Sequence, residues 1–283
     1  MARIVIAGCG DLGTGLGLAL GAQGHTVWGL RRNPVSLPAP LRPLAADLTD
    51  PDSLGSLPEA VDYVVYAVAA GGYREELYRA AYVDGVANLL AALRDRGERL
   101  RRLLLVSSSS VYGQQQGEWV DETSPATATG FAAESLRAGE RLVWDAPHPA
   151  TVVRFTGIYG PGRTRLIDQV RQGVATCEPG LYGNRIHRDD CVAALQWLLL
   201  RDDAAELYLG VDDAPVEQCE VLDWLAAELG TVPPRRSSGT ARTRPRSNKR
   251  CRNRRLKETG WRPTYPSYQE GYAALVAEQE RGR

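Results

Sequence analysis

The amino-acid sequence predicts an α/β fold, in which a doubly wound parallel sheet is joined to a smaller, discontinuous C-terminal lobe. Three observations predict it. Short apolar strands alternate with helical segments up to Phe155, a glycine-rich turn joins the first strand to the first helix, and the alternation fails after Gly160. Strands that alternate with helices pack favourably as a parallel sheet with right-handed crossovers.

Each element is predicted from its hydrophobic pattern. The first unit consists of a buried strand at 3–7, a helix from Leu12 to about Gln23 and a strand at 25–30. The elements that follow are a strand at 63–68, a helix at 74–96, a strand at 103–107, a helix at 131–144 and a strand at 151–155. After Gly160 the pattern indicates a helix at 189–200, a strand at 207–210 and a helix at 219–229.

The length of the chain, 283 residues, favours two lobes. We predict a nucleotide-binding domain over 1–160, to which 185–210 returns. The substrate lobe is then formed by 161–184 and 211–283. Within it, residues 231–248 are rich in Pro, Ser and Arg and predict an irregular loop.

Composition excludes several classes of protein. Lys and Arg together number 34, as do Asp and Glu, so no net charge favours nucleic acid or an anionic membrane. Five dispersed cysteines without a C-x-x-C pair predict reduced thiols, and three histidines without ligand spacing predict no metal site. The apolar runs are too short for a membrane span or a secretory signal, so we expect a cytoplasmic protein.

The turn after the first strand carries a dinucleotide-binding pattern. Gly8, Gly10 and Gly13 form G-x-G-x-x-G between a strand and a helix, and Asp11 and Leu12 begin that helix. Gly8 permits the tight turn, Gly10 lets the backbone approach a pyrophosphate, and Gly13 lets the helix pack on the strand. The helix amides face the phosphates. The sequence therefore predicts a Rossmann domain.

The end of the second strand predicts which dinucleotide is bound. NAD-binding domains usually place a carboxylate there for the ribose 2′-hydroxyl, whereas this chain has Arg31 and Arg32. A guanidinium binds a phosphate dianion through two parallel hydrogen bonds, so the pattern predicts NADP as cofactor. The alternative is a pair of solvated surface arginines.

Five motifs in a fixed order resemble the extended short-chain dehydrogenase/reductase superfamily, the NAD-dependent epimerases and dehydratases. They are D-L-T-D at 47–50, A-V-A-A at 67–70, V-S-S-S-S-V-Y-G at 106–113, R-F-T-G-I-Y-G-P-G at 154–162 and R-I-H-R-D-D at 185–190. With S-N-K-R-C-R-N at 247–253, the chain resembles an atypical, YeeZ-like branch, for which the resemblance implies no defined substrate.

The resemblance implies the remainder of the cofactor site. Its aspartate meets the adenine amine, and its small-residue strand end lies under the adenine ribose. The residues so assigned are Asp47, Leu48, Ala67, Val68, Ala69 and Ser107. Members of the superfamily often dimerise through the helices after the third and fourth strands, so the resemblance also allows a homodimer.

The catalytic residues depart from the superfamily pattern. Its members use a tyrosine, a lysine four residues later, and a Ser or Thr that polarises the substrate oxygen. Ser108 matches the Ser, but residues 130–140, where the pair is expected, contain neither tyrosine nor lysine, and the only lysines are Lys249 and Lys257. The candidate replacements for the proton donor are Tyr112, Tyr159, His187 and Lys249.

Three functions stay open. The first is an NADP(H)-dependent oxidoreductase acting on a carbonyl or hydroxyl group of a small metabolite, anionic or neutral. It stays open because loss of a general acid costs roughly 10²- to 10⁴-fold without abolishing hydride transfer. The second is a non-catalytic NADP-binding sensor or scaffold. The third is a sugar epimerase with altered catalytic residues, which Gly183 disfavours because the superfamily's UDP-sugar epimerases have a diphosphate-binding arginine there.

A basic segment lies near the C-terminus, where eleven of the residues at 235–257 are Lys or Arg. It lacks the interleaved aromatic residues typical of nucleic-acid binding, so we expect no nucleic-acid partner. Either several of its arginines hold a carboxylate or phosphate of a substrate, or it is a solvated surface with salt bridges to the acidic stretch at 202–220. Arg250 and Arg252 are the residues that would distinguish the two.

Overall fold

The computed structural model describes residues 1–237 and 247–281. The strands, in chain order, are β1 (Arg3–Ala7), β2 (Thr26–Arg31), β3 (Arg42–Ala45), β4 (Tyr63–Tyr66), β5 (Arg102–Ser108), β6 (Glu118–Val120), β7 (Ala150–Phe155), β8 (Ile158–Tyr159), β9 (Thr176–Cys177), β10 (Ile186–His187), β11 (Leu207–Gly210), β12 (Arg235–Arg236) and β13 (Lys249–Cys251). The α-helices are α1 (Asp11–Ala22), α2 (Glu75–Arg79), α3 (Gly85–Asp95), α4 (Phe131–Trp144), α5 (Arg165–Arg171), α6 (Arg188–Leu199), α7 (Gln218–Glu228), α8 (Arg254–Glu258) and α9 (Tyr268–Arg281).

The central sheet is parallel and has seven strands in the order β11-β7-β5-β4-β1-β2-β3. In its middle, Ile4 of β1 is paired with Val27 of β2 on one side and Tyr63 of β4 on the other. Val5 and Val64 are fully buried, as expected for strands covered on both faces. The predicted doubly wound sheet is confirmed.

The predicted helices and strands are present, but one helix is divided and several elements, among them β3, α5, α8 and α9, were not predicted. The single helix predicted at 74–96 is divided into α2, a π-helical turn at Ala80–Asp84 and α3. The short β3 was not predicted, because it is an edge strand of sequence Arg-Pro-Leu-Ala with one buried side chain, Leu44, and shows no alternation.

The chain divides into two compact units. The first consists of Met1–Val111, Ala126–Arg154 and Val192–Tyr208, and the second of Tyr112–Pro125, Phe155–Cys191 and Leu209–Arg283. The prediction assigned 1–160 and 185–210 to the nucleotide domain. In the structure Tyr112–Pro125 belongs to the second unit, and the first unit resumes after Arg154 only at Val192–Tyr208.

The second unit has a hydrophobic core of its own, which includes Ile167, Leu222, Leu225 and Tyr272. Three short parallel pairs, β8 with β10, β9 with β12 and β6 with β13, belong to it. None of these pairs was predicted, because strands of two or three residues carry too few positions to show a period.

The prediction that the cysteines are reduced is wrong for two of them. Cys177 in β9 and Cys219 in α7 form a disulfide with Cα atoms 5.2 Å apart, although 42 residues separate them in sequence. Cys9, Cys191 and Cys251 are free and buried. The error arose because tertiary packing, which spacing does not reveal, brings β9 against α7.

Two features are absent from the described residues, a membrane-spanning helix and a metal-binding cluster. No described helix has both the length and the hydrophobicity to cross a bilayer. No group of three His, Cys, Asp or Glu side chains in the same residues is arranged to hold a metal ion.

Candidate functional site: a nucleotide cavity and four candidate catalytic residues

The glycine turn has the geometry of a phosphate cradle. Gly8 has a φ of +85°, and a Cβ there would lie 2.7 Å from the backbone nitrogen of Val68. A Cβ on Gly13 would lie 2.7 Å from the carbonyl oxygen of Gly8, whereas one on Gly10 would meet nothing within 4 Å. Gly8 and Gly13 are therefore required by close backbone packing. Gly10 borders open space in front of α1, whose N-cap provides no side-chain hydrogen bond. This arrangement fits a pyrophosphate.

Beside this turn the first unit contains a cavity of about 400 Å³, a size typical of small-molecule sites. Seven of the residues predicted to bind the cofactor line it: Gly8, Arg31, Arg32, Asp47, Leu48, Val68 and Ala69. Gly10, Asp11, Leu12 and Gly13 form the adjoining turn and helix start, and Ala67 ends the strand segment that Gly8 packs against. The sequence motifs thus converge on one place.

The carboxylate of Asp47 is held in an ionised state at the cavity. Its Oδ1 accepts hydrogen bonds from the backbone N–H of Thr49 at 2.9 Å and from the Thr49 hydroxyl at 2.7 Å. These bonds lower the pKa of Asp47, and the charge of Arg32 lowers it further. An oriented carboxylate acceptor at this position can accept a hydrogen bond from an amine such as that of adenine.

Arg31 and Arg32 lie at the end of β2 and line the same cavity. Arg31 is half-buried and Arg32 is exposed. Within residues 1–237 and 247–281 neither guanidinium forms a salt bridge or a hydrogen bond. Their donors are therefore available to an anion.

Sequence reasoning missed part of the cavity wall. Tyr66 lies at the end of β4, and its hydroxyl donates a 2.5 Å hydrogen bond to the carbonyl of Ala81 in the π-helical turn. Asn88 of α3 donates to the carbonyl of Leu48 at 2.8 Å and so holds the loop that carries Asp47. The one available signal was the position of Tyr66, directly before the small-residue strand end.

Ser107 and Ser108 have different roles at the end of β5. The Ser107 hydroxyl donates to Glu140 at 2.6 Å, and Glu140 also accepts from Arg154 at 2.8 and 2.6 Å. Ser107 therefore belongs to a buried polar network rather than to the cavity wall. Ser108 is half-buried, and its oxygen accepts a 3.2 Å hydrogen bond from the backbone N–H of Ser110, which leaves its own proton available to donate.

Tyr159 lies in the core of the second unit. Its ring packs against Tyr272 with centroids 4.4 Å apart, and its hydroxyl lies 3.5 Å from the carbonyl oxygen of Ser267. Gly271 faces the hydroxyl so closely that no side chain fits there. Burial raises the pKa of Tyr159, which makes its proton harder to remove.

His187 is buried beside two tyrosines. Its ring centroid lies 4.0 Å from that of Tyr265 and 5.3 Å from that of Tyr159. Nδ1 accepts a 3.2 Å hydrogen bond from the backbone N–H of Asp189. Burial lowers the pKa of His187, so the imidazole is neutral at pH 7.

Lys249 is only 2% exposed, a rare environment for lysine. Its ammonium donates a short hydrogen bond to the Ser247 hydroxyl, and no carboxylate of the described residues pairs with it. Burial lowers the pKa of Lys249. Tyr112, the remaining candidate, is also buried.

The basic segment near the C-terminus is only partly described, since Arg242, Arg244 and Arg246 lie outside the described residues. Of the remainder, Arg236 pairs with Asp223 at 2.5 Å and Lys257 with Asp213 at 2.8 Å. Arg250 donates to the carbonyl of Gly117 at 2.7 Å. The predicted irregular loop at 231–248 contains the short β12, and its residues 238–246 also lie outside the described part.

Comparison with known proteins finds relatives that are similar over most of the chain. A solved structure from Methylobacillus flagellatus, provisionally described as an NAD-dependent epimerase/dehydratase, is 39% identical, with a TM-score of 0.83 over 99% of both chains. The 3-diazoavenalumate denitrifying reductase of a Streptomyces species is 28% identical over 95% of this chain and 98% of its own. Protein YeeZ of Escherichia coli K12 is 28% identical over 83% of this chain and 86% of its own.

The family model described as the NAD dependent epimerase/dehydratase family matches residues 4–208. This range holds the glycine turn, the cavity with Arg31 and Arg32, and Ser108. The match covers well over half of the 283 residues and agrees with the resemblance predicted from the five motifs. The chain belongs to the NAD-dependent epimerase/dehydratase family.

Proposed function

We propose that the protein is an NADP(H)-dependent oxidoreductase that acts on a carbonyl or hydroxyl group of a small anionic metabolite. The observation that carries the cofactor choice is the pair Arg31 and Arg32, which line the nucleotide cavity without a salt bridge to any described residue. A ribose 2′-phosphate is the anion that distinguishes NADP from NAD, and two free guanidinium groups would bind it through charge-assisted hydrogen bonds. That one relative is named a reductase supports hydride chemistry.

Ser108 is the proposed group that polarises the substrate oxygen. It lies at the carboxyl end of β5, next to β4 in the sheet, and ligands of doubly wound sheets bind at that edge. Because the Ser108 oxygen already accepts a hydrogen bond from Ser110, its hydroxyl proton can point to a carbonyl oxygen. When bound, NADPH supplies the hydride.

Lys249 is the proposed proton donor. Tyr159 holds its proton more tightly than an ordinary phenol does, and His187 is a neutral imidazole whose Nδ1 accepts a hydrogen bond. Burial lowers the pKa of Lys249, so its ammonium gives up a proton more readily than that of an exposed lysine. The group would be regenerated from solvent after each turnover.

Binding tests the cofactor assignment. NADPH and NADH are titrated into the wild type, Arg31→Met, Arg32→Met and the control Arg99→Met, which removes an exposed arginine that takes no part in the cavity. We expect tighter binding of NADPH by the wild type and roughly 10- to 100-fold weaker NADPH binding by the two cavity variants, with NADH affinity unchanged. Equal affinities of the wild type for the two cofactors would overturn the assignment.

Turnover tests the reaction. NADPH oxidation is followed with a panel of aldehydes and ketones that carry a carboxylate or a phosphate, and any active substrate is repeated with Ser108→Ala and Lys249→Met. We expect kcat to fall by roughly 10²-fold or more in each variant, with NADPH affinity retained. Tight NADPH binding without oxidation across the panel would favour an NADP-binding sensor, which the absence of tyrosine and lysine from α4 supports.

A further inference from the structure

The second unit contains a cavity that the proposed reaction does not use. It measures about 620 Å³ and lies between Trp119 of β6, the residues that follow β11 and the segment at 251–262. This volume suits a small organic molecule. No residue of the described part lines both this cavity and the nucleotide cavity.

The exposed acidic side chains of the cavity are already neutralised. Asp213 accepts from Lys257 at 2.8 Å and from the Asn253 amide at 2.7 Å. Glu258 accepts from Arg254 at 2.7 Å, one helical turn away. These pairs cancel two positive and two negative charges.

A third carboxyl group at the cavity, that of Asp212, is uncharged at neutral pH. The residue is 2% exposed, and its Oδ2 has no hydrogen-bond partner among the described residues. Burial raises the pKa of Asp212 to about 8. An anion in the cavity is therefore not repelled by Asp212.

Two arginines of the cavity have no carboxylate partner in the described residues. The guanidinium of Arg252 lies 4.5 Å from the ring centroid of Trp119, and that of Arg250 lies 4.8 Å from the same centroid. Arg262 donates to the carbonyl oxygens of Lys257 and Trp261 at 2.6 and 2.7 Å, which orients its fork while leaving further donors. The cavity thus carries two uncompensated positive charges beside the 43%-exposed indole of Trp119.

We propose that this cavity binds a small organic dianion with a flat apolar part, either a phosphate monoester or a dicarboxylate. Arg252 and Arg262 hold the anionic groups, and Trp119 packs against the flat part. Two arginines without a carboxylate partner among the described residues favour a dianion over a monoanion, and the partly exposed indole favours a planar group over an aliphatic one. The proposal does not depend on the oxidoreductase activity.

Calorimetric titration at pH 7 with saturating NADP⁺ tests the site, because NADP⁺ occupies the other phosphate-binding cavity. The probes are phenyl phosphate and phthalate, with inorganic phosphate, phenyl sulfate and benzyl alcohol as the probes that lack the ring, the second charge or both charges. We expect at least one of the two ring dianions to bind, and the other three to bind at least about 10-fold more weakly.

The variants Arg252→Gln, Arg262→Gln and Trp119→Leu should each weaken the bound ring dianion by roughly 10-fold, since each removes one recognition element. The control Arg99→Gln changes the net charge equally and should bind as the wild type does. The proposal would be overturned if no probe binds at millimolar concentration, or if the double variant Arg252→Gln with Arg262→Gln binds the ring dianion as tightly as the wild type does. NADPH titration of the same variants, expected to be unchanged, separates this outcome from failure of the cofactor assignment.

Discussion

Replacing Arg154 by methionine leaves the Glu140 carboxylate in the protein interior without its cation. The two side chains are 5% and 1% exposed and meet in a bidentate pair at 2.8 and 2.6 Å. The hydroxyl of Ser107 donates to the same carboxylate at 2.6 Å. The network connects β5, α4 and β7. Its member Ser107 directly precedes Ser108 in sequence, the residue proposed to polarise the substrate.

The expected loss is large because a buried charge is left uncompensated. Removing one partner of a buried ion pair costs about 3–5 kcal/mol, whereas replacing both partners by apolar groups is often close to neutral. Against a total stability of about 5–15 kcal/mol, Arg154→Met should remove roughly a fifth or more of the unfolding free energy. Ser107→Ala removes one hydrogen bond to a charged group and should cost about 1.5–3 kcal/mol.

Urea unfolding, followed by circular dichroism, measures the unfolding free energies of Arg154→Met, Glu140→Met and the double variant. We expect the double variant to be more stable than Arg154→Met alone, because the stranded carboxylate is gone. The reasoning is refuted if Arg154→Met costs less than about 1 kcal/mol, or if the losses of the two single variants simply add in the double variant.

Three further predictions concern single residues. A Cβ on Gly13 would lie 2.7 Å from the Gly8 carbonyl oxygen, so Gly13→Ala should weaken NADPH binding at least about 10-fold. The control Gly55→Ala, with nothing within 4 Å of its Cβ, should not weaken it, and equal NADPH affinities of the two variants in a titration would contradict this. Lys249→Met should lower kcat by roughly 10²-fold or more yet leave the unfolding free energy equal or higher, because the cost of burying an ammonium disappears. A large loss of stability in urea would show that the lysine is structural. The folded-state pKa of Asp212 is about 8 and its unfolded value about 4, so its stabilising contribution is complete below pH 4 and is lost as the pH rises to 8. Asp212→Asn should therefore flatten this part of the pH–stability curve, and an unchanged slope would count against the prediction.

Much of the nucleotide site was accessible from the sequence because its determinants are local. Gly8, Gly10 and Gly13 act through backbone conformation and close packing, which depend on their spacing and on the flanking strand and helix. Arg31 and Arg32 follow a strand whose neighbours in the sheet are set by the βαβ order, so their place at the cavity could be predicted.

The candidate catalytic residues show the opposite behaviour. Their motifs marked Tyr159, His187 and Lys249 as candidates, but the protonation chemistry of each depends on burial among residues distant in sequence. The hydroxyl of Tyr159 faces Gly271, and Lys249 lies in β13 paired with β6, more than a hundred residues away. No local pattern reports the loss of solvent that shifts these pKa values.

By itself, the sequence determined the parallel α/β architecture, the dinucleotide turn and the arginine pair after β2, since these follow from hydrophobic period and from the order of neighbouring elements. Only the tertiary structure decided that Cys177 meets Cys219, that Ser107 is committed to Glu140, and that an uncharged Asp212 borders a second cavity. The reason is physical: disulfide formation, buried hydrogen bonding and desolvation depend on distances in space, which residues far apart in the chain acquire only on folding.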